Sequence, residues 1–265
     1  MARRASPCAA RALPTSLSTW SKTTSPRTTA RAATEVSTAD SHEAQIRRCW
    51  QTNARAWTQT VRERGIESRR LVTDAAIVDA ITALAPPTLI DLGCGEGWLC
   101  RALAENGARV IGVDAEPAFI EAACQATPDT GDIDYRVLDY AAVAAGELDA
   151  RAAVVSCNFA LLGKQSTEQL LAAVPSLLAP GGVFVMQTLH PLMACGDGPY
   201  VDGWRQGSWV GCGDRFRDPA PWYFRTQESW LALLARCGMR CHHLREPVHP
   251  HTGKPASLLV QAICS

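Results

Sequence analysis

The sequence predicts an α/β fold, a doubly wound parallel sheet covered by helices on both faces, and three observations carry that reading. Short apolar runs of strand length alternate with longer amphipathic stretches through most of the chain, the pattern that builds βαβ units. A glycine-rich stretch follows the first apolar run, where such sheets turn from strand into helix. The chain has 265 residues and is 47% hydrophobic, enough to bury both faces of a sheet in one domain.

Taken in order, residues 1–34 contain Arg3, Arg4, Arg11, Lys22, Arg27 and Arg31, no acid, many Ser and Thr, and Pro7, Pro14 and Pro26. Such a composition cannot pack a core, so residues 1–40 are expected to form a disordered tail and residues 41–265 the folded domain. An organellar transit peptide shares this composition; a plain solvated tail is the simpler reading. Ile46, Trp50, Ala54, Trp57 and Val61 recur at helical spacing and predict a helix over 42–64. A second helix is expected over 73–84, stopped by Pro86-Pro87. The alternation then predicts a strand at 88–92, a helix at 98–106, a strand at 109–113, a helix at 117–125, and strands at 135–138 and 152–157. A helix at 167–178 is closed by Pro180-Gly181-Gly182 and followed by a strand at 183–188. A helix at 226–237 and strands at 239–244 and 257–262 complete the domain.

Charge and cysteine usage exclude several classes. Lys+Arg equals Asp+Glu at 26 each, so the protein is not one that holds nucleic acid by bulk charge. No apolar run reaches the ~18 residues of a membrane helix. The eleven cysteines are singletons with no C-x-x-C spacing, which reads as reduced thiols in the cytoplasm, or in an organellar matrix if the tail is a transit peptide. Cys237, Cys241, His242 and His243 straddle a helix end and a strand, where side chains alternate between faces, and no metal site is expected. Gly163-Lys164 and Gly253-Lys254 lack the rest of a phosphate-binding loop, and there is no G-x-S-x-G nucleophile elbow.

In an open α/β sheet, ligands bind beyond the carboxyl ends of the strands. The first strand ends in Asp91-Leu92-Gly93-Cys94-Gly95-Glu96-Gly97-Trp98, and Asp114 ends the second strand, where an acid can hold ribose hydroxyls. A dinucleotide loop requires G-x-G-x-x-G, but Trp98 takes its last position. A pyrophosphate would also lie beside Asp91 and Glu96 with no nearby cation in sequence, whereas a cationic cofactor tolerates both acids. Read as structure alone, Asp91 and Asp114 are helix caps and Asp139 a turn residue.

These residues resemble the class I S-adenosylmethionine-dependent methyltransferases across roughly 45–263. LIDLGCGEG (89–97) resembles the first cofactor motif and VIGVDAEP (110–117) the second. VLDY (137–140), VVSCNFALL (154–162) and LLAPGGVFVMQT (177–188) resemble those that follow. The resemblance implies a Rossmann-like seven-stranded sheet whose last strand is antiparallel, with S-adenosylmethionine as cofactor and S-adenosylhomocysteine as product. It places Asp91, Gly93, Cys94, Gly95 and Gly97 on the cofactor loop. Asp114 and Ala115 would lie at the ribose, Asp139 at the adenine amino group, Tyr140 beside the ring, and Asn158 and Phe159 at the methionine side. A leading helix often lies over the cofactor in this family, which implies a role for Trp57, and Arg69 would pair with the methionine carboxylate. IESRR (66–70), QTLHP (187–191) and PWYFRTQESW (221–230) are similar to a bacterial group of small methyltransferases of unsettled substrate. CNFAL (157–161) is unlike the N-P-P-Y type motif of nucleic acid base methyltransferases.

The stretch 189–225 is too long for a plain connection and reads as a lid. Its aromatics, Tyr200, Trp204, Trp209, Phe216, Trp222, Tyr223 and Phe224, suit either an apolar substrate pocket or a satellite core. Arg205, Arg215, Arg217 and Arg225 are candidates to receive an anionic substrate, or else a solvated face. Methyl transfer to a hydroxyl needs a base; His190, just past the fifth strand, is the first candidate and His249 the second. The expected activity is methyl transfer to oxygen, ahead of nitrogen, of a small metabolite, without nucleic-acid or membrane partners. The alternatives are a catalytically silent cofactor-binding partner subunit and an NAD-type oxidoreductase.

Overall fold

The computed structural model describes residues 29–129 and 132–265. A long helix α1 (Thr29–Arg62) and a π-helical turn (Arg69–Thr73) lead into α2 (Asp74–Thr82). The alternation follows as β1 (Thr88–Leu92), α3 (Trp98–Glu105), β2 (Arg109–Asp114), α4 (Pro117–Ala126), β3 (Ile133–Val137), α5 (Tyr140–Ala144), β4 (Ala152–Asn158), α6 (Gln165–Leu177) and β5 (Leu178–Leu189). The lid region contributes α7 (Pro191–Ala194) and the hairpin β6 (Gly203–Arg205) and β7 (Trp222–Phe224). The chain closes with α8 (Gln227–Arg236), β8 (Met239–Arg245) and β9 (Ser257–Cys264).

Seven strands form one sheet in the order β3-β2-β1-β4-β5-β9-β8. β9 is antiparallel to both neighbours and the other pairings are parallel, so the expected Rossmann-like sheet with an antiparallel last strand is the observed one. Its core follows the period-2 rule of a sheet buried on both faces. Ile90, Val155, Phe184, Met186 and Val260 pack with α6 and α8, while Leu89, Val154, Val185 and Leu259 pack with α2 and α3.

Three departures from the sequence reading have local causes. α1 begins at Thr29, inside the stretch read as tail, where Ala, Arg and Glu favour helix; residues 1–28 of that tail lie outside the described residues. α5 was not anticipated: it is five residues long, opened by Asp139 as its N-cap. β5 reaches back through Pro180-Gly181-Gly182 to Leu178, because the pairing with β4 shifts register there instead of breaking. On β8 a register shift between Cys241 and His243 interrupts the expected alternation. No group of three or more metal-ligating side chains gathers among the described residues, and no helix among them is long and apolar enough to cross a membrane.

Candidate cofactor and active site

The strand order reverses between β1 and β4, which opens a crevice at their carboxyl ends. The glycine loop enters it from β1. Gly93 and Cys94 both donate their N–H to Val113 O, at 2.7 and 2.9 Å, tying the loop to β2. Gly93 has a φ of 76°, and a Cβ there would collide with Ala160 and the Tyr140 hydroxyl, so only glycine fits.

Asp114 completes this loop. Its Oδ2 accepts the Gly95 N–H at 2.9 Å and its Oδ1 the Glu116 N–H at 2.9 Å. Burial pushes its carboxyl up to about 6, against the pull of the Glu116 and Gly95 N–H groups. Each carboxylate oxygen retains acceptor capacity for a further donor. Asp91 sits behind the loop, 2% exposed, with Ser156 Oγ donating to it at 2.7 Å and Cys100 Sγ at 3.6 Å. Burial raises this carboxyl too, to about 6.

Glu96 corrects one step of the sequence argument. It is buried, with Arg101 Nη2 at 2.8 Å and Arg62 Nε at 3.1 Å. Two cations therefore neutralise the acid that was read as unpaired. Arg101 lies one turn into α3 and Arg62 comes from the end of α1, so folding brings them to it.

Trp57 and Arg69 close the loop from above. A Cβ on Gly95 would come within 3.9 Å of the Trp57 Nε1. The Arg69 guanidinium lies over Trp98 at 4.9 Å and Trp57 at 5.8 Å, and its Nε donates to Asp74 Oδ1 at 2.9 Å. Its Nη2 is buried and meets no hydrogen-bond partner. A buried guanidinium nitrogen without an acceptor suits an incoming carboxylate.

The remaining expected cofactor residues are placed as follows. Asp139 is exposed and one of its oxygens caps α5, accepting the Ala142 N–H at 2.8 Å. Tyr140 turns beneath the loop, its hydroxyl 3.3 Å from Ala160 O and against Gly93; burial raises its phenol. Cys94 is buried, and Ala115 is exposed beside Asp114. Asn158 ends β4, and Phe159 adopts a left-handed φ of 53° with its N–H donated to Gln187 O at 2.8 Å.

Gln187 was missed by the sequence reading. It is 1% exposed, and its Nε2 donates to Thr73 O and Asn158 Oδ1, both at 2.9 Å. Its Oε1 accepts from Ser257 Oγ at 3.0 Å. The available signal was a lone amide inside the apolar run VFVMQT.

His190 follows β5 directly. It is buried, with its Nε2 2.6 Å from Glu246 Oε1. His249 lies in the loop between β8 and β9, where its Nδ1 accepts the His251 N–H at 3.3 Å, and His251 in turn pairs with Glu67. β8 runs parallel to β5, so both histidines stand at the ligand edge.

The lid aromatics pack on one another and on α1. Trp209 stacks on Phe216 at 4.5 Å and meets Trp50 at 5.8 Å, while Trp204 lies 4.4 Å from His42. Asn53 of α1 clasps the lid through the Arg217 backbone, donating to its O at 2.8 Å and accepting its N–H at 2.9 Å. The expectation for the lid arginines is corrected at three positions. Arg225 is 3% exposed and bound to Gly163 O, Lys164 O and Glu168. Arg205 binds Pro199 O and Val201 O, and Arg215 pairs with Glu63. Packing commits Arg225 and Arg205 to the fold, whereas Arg215 sits in a solvent-exposed ion pair and the Arg217 side chain is exposed without a described partner.

Residues 89–182 match the family model described as methyltransferase domain. The ubiquinone biosynthesis O-methyltransferase of Xanthomonas campestris pv. campestris (strain B100) is 34% identical over 117 residues, 43% of this chain and 47% of that protein. The chain spans about half the length of the curated relatives it matches. The S-adenosylmethionine dependent methyltransferase of Mesorhizobium loti superposes with a TM-score of 0.53 at 27% identity, covering 69% of this chain and 95% of that one. The glycopeptide N-methyltransferase MtfA, solved with S-adenosyl-L-methionine, shares the fold at a TM-score of 0.56 and 16% identity, over 72% of this chain and 86% of that one. Residues 89–182 therefore carry the match to a methyltransferase domain, within a fold and glycine loop similar to those of the class I S-adenosylmethionine-dependent methyltransferases. The chain's matched segment is similar to the ubiquinone biosynthesis O-methyltransferase just described.

Proposed function

We propose that the protein transfers the methyl group of S-adenosylmethionine to an oxygen of a small-molecule metabolite. The observation that carries this reading is one arrangement at the sheet edge: Asp114 is bonded to the glycine loop, and Arg69 lies over Trp57 and Trp98 with its Nη2 lacking an acceptor. The cofactor supplies an electrophilic methyl group on a sulfonium. Asp114 accepts its ribose hydroxyls, Arg69 takes its carboxylate, and Trp57 covers the loop. Asp139, with one oxygen free of the α5 cap, accepts the adenine amino group. His190 removes the proton of the acceptor hydroxyl as its oxygen attacks the methyl carbon in line, and positioning supplies much of the rate. His249 is the second candidate for that base.

The acceptor has an apolar body, because Leu189, Leu192 and Met193 stand exposed around His190. Equal numbers of acids and bases argue against a nucleic-acid substrate. The scattered, free cysteines among the described residues support a reducing, cytoplasmic setting. Calorimetric titration with S-adenosylhomocysteine and, in parallel, NAD tests the cofactor. Binding of the first alone is expected; binding of NAD instead overturns the reading. Methyl-labelled cofactor with a panel of hydroxylated metabolites then tests transfer, and a panel that stays unlabelled while S-adenosylhomocysteine binds favours a silent partner subunit.

A further inference from the structure

His190 is held in an unusual way for an exposed-edge histidine. Pro191 opens α7, and His190 O accepts the N–H groups of Met193 at 3.0 Å and Ala194 at 2.8 Å, which fixes its backbone. Its ring is fixed separately by Glu246, which lies just past the end of β8. His190 is 4% exposed, while Glu246 is 48% exposed, so the pair spans the boundary between interior and solvent. A carboxylate has no proton to give, so the hydrogen of this 2.6 Å contact belongs to Nε2. A neutral imidazole then carries its lone pair on Nδ1. That atom is buried and meets no hydrogen-bond partner, a costly state unless a donor arrives.

We propose that Glu246 is the positioning residue for the reaction: it fixes the His190 tautomer and ring orientation so that Nδ1 receives the proton of the acceptor hydroxyl. The proposal rests on the methyl-transfer reading above. In the step, the acceptor O–H proton moves to Nδ1, the O–C bond forms, and the methyl–sulfur bond breaks with its electron pair retained on sulfur. Glu246 then faces an imidazolium and stabilises it, as an orienting acid does in other base–acid pairs.

The test uses the full chain labelled with 15N-histidine. Long-range 1H–15N spectra should show His190 protonated at Nε2 and bare at Nδ1, with the signal assigned by its loss in His190→Gln. Glu246→Ala should shift the population towards the Nδ1–H form. Glu246→Gln, whose amide both donates and accepts, should give a mixture. Neither change should move S-adenosylhomocysteine affinity by more than about twofold, since Glu246 is half exposed and remote from Asp114. Turnover in the labelled-cofactor assay should fall about 10- to 100-fold through kcat with little change in KM, less than the roughly 10²–10⁴ that the base itself contributes, since Glu246 acts only through it. An unchanged tautomer in Glu246→Ala overturns the proposal, as does a shifted tautomer with undiminished turnover. Failure of the wild-type chain to bind S-adenosylhomocysteine overturns the methyl-transfer reading instead, and the spectra register that case separately.

Discussion

Asp114 shows how one carboxylate is prepared for a ligand. Burial disfavours its charge and places its titration at about 6, while two backbone N–H groups hold it in place. On the proposed reading, ribose hydroxyls donate to the ionised form, so binding favours ionisation. The sign follows: affinity is full above about pH 6 and falls as pH drops below it, by at most about tenfold per unit. Calorimetry with S-adenosylhomocysteine between about pH 8 and pH 5 reads this directly. Asp114→Asn should weaken binding about 10- to 100-fold at the upper end, the worth of hydrogen bonds to a charged group, and should flatten the profile. An unflattened profile would assign the titration elsewhere, with Asp91 the next group to test.

Helix α6 depends on a side chain from another element. Its N-cap residue Lys164 makes no side-chain cap. Glu43 of α1 replaces it, with Oε1 accepting the N–H groups of Lys164 at 2.9 Å and Gln165 at 3.0 Å, and Oε2 accepting the Ser166 hydroxyl at 2.8 Å. The carboxylate also meets the positive end of the helix dipole. Gly163 makes the approach possible, since a Cβ there would strike both Glu43 and Ser166. Glu43→Ala should cost about 1–2 kcal/mol, the usual worth of a cap, seen as a lower urea midpoint with an unchanged slope. The same contact anchors α1, so the helix that carries Trp57 is held near its middle by the start of α6.

Gln187 joins parts of the protein that are far apart in the chain. Through its amide, the π-helical turn before α2, β4 and β9 are bound to β5 at the ligand edge. Gln187→Ala leaves Asn158, Ser257 and the Thr73 carbonyl short of partners in the interior. The expected loss is about 2–3 kcal/mol in urea unfolding, together with weaker S-adenosylhomocysteine binding as the Asn158 side chain loses the amide that holds it. Stability loss with unchanged affinity would mean that Asn158 does not depend on this amide for its part in binding.

Local physics accounts for what was legible beforehand. β1 was expected at 88–92 and is found at Thr88–Leu92, because apolar periodicity, flanking Pro86-Pro87 and the glycine loop are all readable within a few residues. The glycine loop, Asp114 and the position of His190 past β5 were legible for the same reason. The sheet order and antiparallel last strand came through the family resemblance, not from periodicity. α5 escaped because five residues are too few to show a helical period; its N-cap Asp139 commits one carboxylate oxygen to the cap. By itself, then, the sequence determined the class of fold, the order of its main elements and the position of the glycine loop proposed to meet the cofactor. Tertiary structure decided the partners: Arg62 for Glu96 across 34 residues, Glu246 for His190 across 56, and Glu43 for the start of α6 across 121. Backbone conformation answers to neighbours in the chain, but a buried charge or ring is satisfied only by whichever groups the strand order brings to the same edge.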